Sequence, residues 1–142
     1  MVNRRRFLKT GCLACLGLAS SSYLLSSCAA GIPMQVVKRK PEEKVLRVAK
    51  TSFEGEQDMV IVRDESLEND ILLRKTENGY LALDLTCTHE GVGLTTTKSK
   101  IYCTSHGSVF DLEGNVVKTP ANKPLKRYQT EAKETEILIY LT

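Results

Sequence analysis

From residue 44 onward the chain runs in short stretches where apolar and polar residues alternate with a period of two, as in a strand with one face buried. Residues 44–49, 59–63, 71–75, 80–85, 125–130 and 136–141 are each of strand length. Between them stand Glu54-Gly55-Glu56, Glu77-Asn78-Gly79 and Glu113-Gly114-Asn115, which supply turn chemistry. The Asn78-Gly79 pair predicts a hairpin joining 71–75 to 80–85, because Asn and Gly accept the positive φ of the mirror-image turns that hairpins prefer. Residues 65–69 read as a short helical turn at most, since no 3.6-residue period continues them. The pattern predicts an antiparallel all-β domain over residues 44–142, without internal repeats.

The N-terminal pattern is different. Residues 10–25 are apolar but diluted with Gly and Ser, and they follow Asn3-Arg4-Arg5-Arg6-Phe7-Leu8-Lys9. That opening resembles the twin-arginine export motif, with Asn3 in the place usual for Ser or Thr. Leu25-Ser26-Ser27-Cys28 resembles the lipobox of bacterial lipoproteins, in which the Cys28 thiol receives the lipid. A helix over residues 10–25 would measure about 24 Å, short of a hydrocarbon core of about 30 Å, which favours a cleaved leader over a spanning anchor. The expected organisation is a signal peptide over 1–27, a flexible tether over 28–43 and a folded domain over 44–142. The mature chain would then be exported and anchored through Cys28 on the periplasmic or extracytoplasmic side of a bacterial membrane. Within the tether, Lys38-Arg39-Lys40 reads as a solvated spacer.

The chain has 142 residues, so once the leader is set aside there is room for one compact domain. Aromatic residues are few and Trp is absent, which argues against a large aromatic-lined substrate pocket. The net charge of +3 comes from Arg4, Arg5, Arg6 and Lys9; the remainder carries 16 basic and 17 acidic residues. Nothing in that balance supports nucleic-acid binding.

The five cysteines fall into groups before any pairing is considered. Cys12 and Cys15 lie in the apolar leader, where their C-x-x-C spacing carries no expected function, and Cys28 ends it. Cys87 and Cys103 belong to the folded part, each within three residues of one of the two histidines. The order is Cys87-Thr88-His89, then Cys103-Thr104-Ser105-His106. Two thiolates and two imidazoles are compatible with a structural zinc site, although C-x-H is tighter than the usual zinc-finger pairs. The same order, C-x-H followed by C-x-x-H, is that of a Rieske centre, in which two Cys bind one iron and two His the other.

The stretch Cys103-Thr104-Ser105-His106-Gly107-Ser108-Val109-Phe110-Asp111, with Gly114, Thr119-Pro120-Ala121 and Pro124-Leu125, resembles the second cluster loop and proline loop of Rieske 2Fe-2S proteins. The resemblance is close over about residues 84–128. It implies an antiparallel sandwich or barrel with a small cluster-binding subdomain, and one 2Fe-2S cluster per chain held by Cys87, His89, Cys103 and His106. It also implies that Ser108 donates to a cluster sulfide, whereas Phe110 stands where a tyrosine donor occurs and cannot donate. Respiratory Rieske subunits carry a further Cys in each loop, joined as a disulfide; here those positions are Val92 and Ser105. The loops therefore resemble those of Rieske ferredoxins, and a potential between the two extremes is expected.

The implied function is one-electron transfer between redox partner proteins, such as a cytochrome or a membrane oxidoreductase, with the membrane reached through lipid on Cys28. A Rieske oxygenase needs two more histidines and a carboxylate for its second iron, and the chain has no histidine to spare. The alternatives are a Rieske subunit of a quinol-oxidising, cytochrome bc-like complex and a structural zinc protein. Glu90, Thr88 and Asp111 read as loop-surface or turn residues, and residues 119–121 as a cover over the cluster.

Overall fold

The computed structural model describes residues 31–40 and 42–141; the leader with Cys12 and Cys15, and the expected lipidation site Cys28, lie outside the described residues. The strands are β1 (Met34–Val36), β2 (Val45–Ala49), β3 (Met59–Arg63), β4 (Ile71–Thr76), β5 (Gly79–Asp84), β6 (Thr95–Thr96), β7 (Ile101–Tyr102), β8 (Val109–Phe110), β9 (Val116–Lys118), β10 (Arg127–Ala132) and β11 (Glu136–Tyr140). A 3-10 turn over Lys50–Phe53 follows β2. A seven-stranded sheet has the order β1-β3-β4-β5-β10-β11-β2, and a four-stranded sheet the order β6-β7-β8-β9. Every pairing is antiparallel except β1 with β3. The all-β expectation holds. Among the described residues no helix is long and apolar enough to cross a membrane.

Burial explains which strands alternate and which do not. On β2, Leu46 and Val48 point inward while Arg47 is exposed, giving one buried face. On β4, Ile71, Leu72 and Leu73 are all buried, because the strand is covered on both sides. Ile71 and Leu73 join Leu46, Val48, Val60, Val62, Ala82, Ile137 and Ile139 in the core of the large sheet. Leu72 faces the other way, with Met59 and Leu83, into a second core shared with Ile101, Phe110, Ala121, Leu125 and both Cys87 and Cys103. The small sheet thus stands on the outer face of β3, β4 and β5, and the cysteines are part of the seam.

The large sheet curls like a barrel. Ser52 in the 3-10 turn after edge strand β2 donates to Gln35 Oε1 of the opposite edge strand, β1, at 2.6 Å. Such a contact brings the two edges together and limits open backbone.

Strand β1 lies inside the span expected to be a tether, and this is the main correction to the sequence reading. Met34, Gln35 and Val36 pair with Ile61, Val62 and Arg63. The Ile61 N–H donates to the Pro33 carbonyl at 2.9 Å, and the Val37 N–H to the Arg63 carbonyl at 2.8 Å. Arg39, expected to be solvated, is turned inward, its Nε 3.3 Å from a carboxylate oxygen of Asp64, with side chains 11% and 3% exposed. Its guanidinium also donates to the Glu43 carbonyl and the Ser66 hydroxyl. The segment is held because its ladder to β3 and a largely buried ion pair offset its ordering cost.

The hairpin between β4 and β5 forms where expected, with a shifted tip. Thr76 pairs with Gly79, which leaves Glu77 and Asn78 as the turn and puts the positive φ of 133° on Gly79. Residues 65–69 form turns and bends, with the Leu67 N–H donating to the Asp64 carbonyl at 3.0 Å.

Candidate metal centre

Two loops at one end of the small sheet carry the expected donors. Loop 1, residues 87–92, follows β5 and leads toward β6; loop 2, residues 103–108, joins β7 to β8. Their backbones close in the same way. The Cys87 N–H donates to the Val92 carbonyl at 2.8 Å, and the Cys103 N–H to the Ser108 carbonyl at 2.9 Å. The Gly91 N–H returns to the Cys87 carbonyl at 2.8 Å, and the Gly107 N–H to the Cys103 carbonyl at 3.0 Å. Gly91 and Gly107 both have φ of 76°, a left-handed conformation that costs little only without a Cβ.

The donors divide by depth. Cys87 and Cys103 are free thiols, 1% and 2% exposed. Burial pushes the Cys103 thiol up, but the His106 N–H, the Cys87 thiol and the Ser105 N–H, all donating to its sulfur, outweigh it and hold the group below its ordinary value. Hydrogen bonds to sulfur favour the thiolate, the form that binds metal. His89 and His106 are exposed, their ring centroids 5.1 Å apart and their planes at 85°. Glu90 Oε2 stands 3.4 Å from His106 Nδ1.

This division separates one metal from two. A single tetrahedral zinc needs all four donors within about 4 Å of one another. Among the described residues, donor atoms within 4.8 Å of one another are found for His89, Glu90 and His106, and neither cysteine joins that group. Buried sulfurs beside exposed nitrogens suit a binuclear iron-sulfur group with one thiolate-bound and one imidazole-bound iron.

A third loop, residues 119–124, is tied to both others. Ser108 is fully buried, and its Oγ accepts from the Ala121 N–H at 2.9 Å, leaving its own proton free to donate. Thr88 Oγ1 donates to the Lys123 carbonyl at 2.7 Å. Thr88 is thus a tie between loops, a role its place in the sequence gave no sign of. Phe110 is fully buried. Asp111 is a turn residue as expected, accepting from the N–H groups of Glu113 at 3.0 Å and Asn115 at 2.7 Å.

An all-β domain with a small sheet presenting paired thiol-imidazole loops defines a class of iron-sulfur electron-transfer domain. Residues 35–129 match the family described as "Rieske [2Fe-2S] domain". The chain belongs to this Rieske family, which brings with it a 2Fe-2S cluster and an electron-transfer role. No curated protein matches the sequence. Among solved structures it is similar to the cyanobacterial plasma membrane Rieske protein PetC3 from Synechocystis PCC 6803, at 24% identity and a TM-score of 0.54, covering 66% of this chain and 96% of that one. It is also similar to the ferredoxin of carbazole 1,9a-dioxygenase from Nocardioides aromaticivorans IC177, at 20% identity and a TM-score of 0.50, covering 70% and 100%. A complex of oxygenase and ferredoxin in carbazole 1,9a-dioxygenase contains a further match, at 22% identity and a TM-score of 0.51, covering 69% and 94%. At these identities the likeness shows the fold.

Proposed function

We propose that the protein is an exported, membrane-tethered one-electron carrier whose cluster is held by Cys87, His89, Cys103 and His106. The observation that carries the reading is the division of donors: both sulfurs are buried in the seam between the sheets, while both imidazoles face solvent. Cys87 and Cys103 would hold one iron of a 2Fe-2S cluster as thiolates and His89 and His106 the other as neutral imidazoles, a ligand set that would raise the potential above that of an all-thiolate cluster and supply one-electron chemistry beside the exposed imidazole edges. The protein's own contribution is to fix the loops, point the Ser105 and His106 backbone N–H groups at the Cys103 sulfur and keep both cysteines from water.

The anchor reading places a lipid on Cys28, and the docked β1 changes its consequence. Among the described residues, Ile32 already packs against the core at the seam and the Pro33 carbonyl is paired to β3, and five peptide units from Cys28 to Pro33 span no more than about 17 Å at full extension. A redox partner lying in or against the same membrane suits so short a reach. Membrane oxidoreductases and cytochromes fit that description. The quinol-oxidising role is the less favoured alternative, because Val92 and Ser105 occupy the positions where respiratory Rieske subunits carry their loop disulfide.

The test is direct. Purified full-length protein should contain iron and acid-labile sulfide in equal amounts and show an EPR signal only after reduction. One zinc per chain with no sulfide would overturn the cluster reading. Cys28→Ala should move the protein from the membrane to the soluble fraction and abolish labelling by a radioactive fatty acid. Retention of both in the variant ends the anchor reading.

A further inference from the structure

Between β3 and β4 the loop at 64–70 passes beside loop 1, and its Asn69 reaches across to it. Asn69 Nδ2 donates to Thr86 Oγ1 at 3.0 Å and makes a longer contact of 3.5 Å with the Gly91 carbonyl. On its other side, the Asn69 Oδ1 lies against the Gly93 backbone. A Cβ on Gly93 would come within 2.8 Å of that oxygen. Gly93 is not in the left-handed region, so what its missing side chain provides is space and not backbone freedom.

The polarity of this contact is settled by a chain of hydrogen bonds that begins in the large sheet. Tyr128 on β10 donates its hydroxyl to Asp84 Oδ2 at 2.7 Å. Burial, then the Asp84 carboxylate, pushes the phenol up, so it stays a donor. The other Asp84 oxygen accepts the Thr86 hydroxyl proton. With its proton committed, Thr86 Oγ1 offers only a lone pair, and a donor must face it. The Asn69 amide is therefore turned with its NH2 toward Thr86 and Gly91 and its oxygen toward Gly93. Gly91 receives the end of this chain: its N–H closes loop 1 onto the Cys87 carbonyl, while its own carbonyl meets Asn69. Among the described residues, no side chain donates to the corresponding Gly107 carbonyl in loop 2.

We propose that Asn69 is a positioning residue for the first cluster loop: oriented by Thr86 and Asp84, and admitted by the bare Cα of Gly93, it fixes the Gly91 peptide and through it the setting of Cys87 and His89. The inference rests on the reading of Cys87 and His89 as cluster ligands. It adds a support outside the ligand motif, linking the large sheet to one iron-binding loop and not the other.

The test uses the full-length holoprotein with Asn69→Ala, Asn69→Asp, which keeps the volume and removes the donors, Gly93→Ala, and the double variant Asn69→Ala with Gly93→Ala. Both Asn69 variants should release the cluster to a chelator about tenfold faster. They should also shift the reduced-to-oxidised ratio at fixed potential by roughly threefold to tenfold, tenfold being about 59 mV for one electron. The reduced EPR g-values should move with it, while the thermal midpoint changes little. Gly93→Ala alone should reproduce the shift by displacing Asn69, and should add nothing once Asn69 is already Ala. Unchanged release, ratio and g-values in both Asn69 variants overturn the inference, as does a full Gly93→Ala effect in the double variant. Unaltered protein with no EPR signal after reduction overturns the ligand reading and this inference together. A normal signal with unaffected variants overturns this inference alone.

Discussion

Loops 1 and 2 have the same backbone and different surroundings. In each, a Cys N–H spans the loop, a Gly N–H returns to the Cys carbonyl, and that Gly has φ of 76°. The side chains break the symmetry. His89 stands two residues after Cys87, whereas His106 stands three after Cys103, so Glu90 occupies in loop 1 the place of His106 in loop 2. Loop 1 is tied from outside, by Thr88 to the proline loop and by Asn69 to the 64–70 loop. Loop 2 is tied to the same proline loop through the buried Ser108, and among the described residues it has no counterpart of the Asn69 contact. A repeated backbone can place two sulfurs alike, while unequal histidine spacing and unequal ties make the two loops distinct.

The largest effect should erase the comparison altogether. Cys87→Ser and Cys103→Ser each remove one of the two sulfurs proposed to hold the cluster, and each should abolish it, read as loss of iron, sulfide and visible absorption. A variant that keeps a full complement of iron and sulfide would show that its cysteine is not a ligand. Next comes Ser108→Ala, which removes the buried acceptor of loop 2 and strands the Ala121 N–H. The expected cost is about 1–3 kcal/mol of unfolding free energy, measured by denaturant titration. The midpoint potential should fall as well, since a hydroxyl able to donate to sulfur is lost. Stability lost without any change in potential would limit Ser108 to holding the proline loop.

Legibility from sequence followed the same division between backbone pattern and side-chain ties. The strands with one polar face announced themselves by alternation, and 59–63 was delimited as the structure has it. The four candidate donors could be read off the sequence because each Cys–His pair lies within a single loop. The small sheet was not, because its strands are two or three residues long, too short to show a period. Strand β1 was hidden among charged and Pro residues, and what holds it, the Arg39–Asp64 pair and the ladder to β3, is formed with distant residues. Thr88 and Asn69 were invisible for the same reason. Each contacts a backbone carbonyl far along the chain, 35 and 22 residues away, and a carbonyl leaves no mark on the sequence.

The glycines that make the loops alike give a smaller effect and a control. Gly91→Ala and Gly107→Ala meet no atom within 4 Å of the new Cβ, so each should cost only the left-handed backbone penalty, about 1–2 kcal/mol. Equal losses in thermal or denaturant unfolding are expected. A markedly larger loss at Gly91 would mean that the ties of loop 1 amplify backbone strain there.

The smallest effect separates the loops by acid. Each is followed by a side-chain-capped turn, but the caps differ in charge. After loop 1, the neutral Thr97 hydroxyl accepts from the N–H groups of Ser99 at 3.3 Å and Lys100 at 3.1 Å. After loop 2, the Asp111 carboxylate accepts from Glu113, Asn115 and the Asn115 side chain. Burial pushes the Asp111 carboxyl up, but these hydrogen bonds outweigh it and hold the group below its ordinary 3.8. A folded value below the unfolded one means that this stabilisation is complete above about pH 4 and is lost as pH falls through the folded value. The Thr97 turn has no such dependence. Hydrogen-exchange protection factors should therefore fall in acid at Glu113 and Asn115 while holding at Ser99 and Lys100, and Asp111→Asn, whose amide oxygen still accepts from both N–H groups but does not titrate, should remove the acid dependence. Equal acid loss at both turns would assign the effect to the domain as a whole, and not to the carboxylate that caps the turn after loop 2.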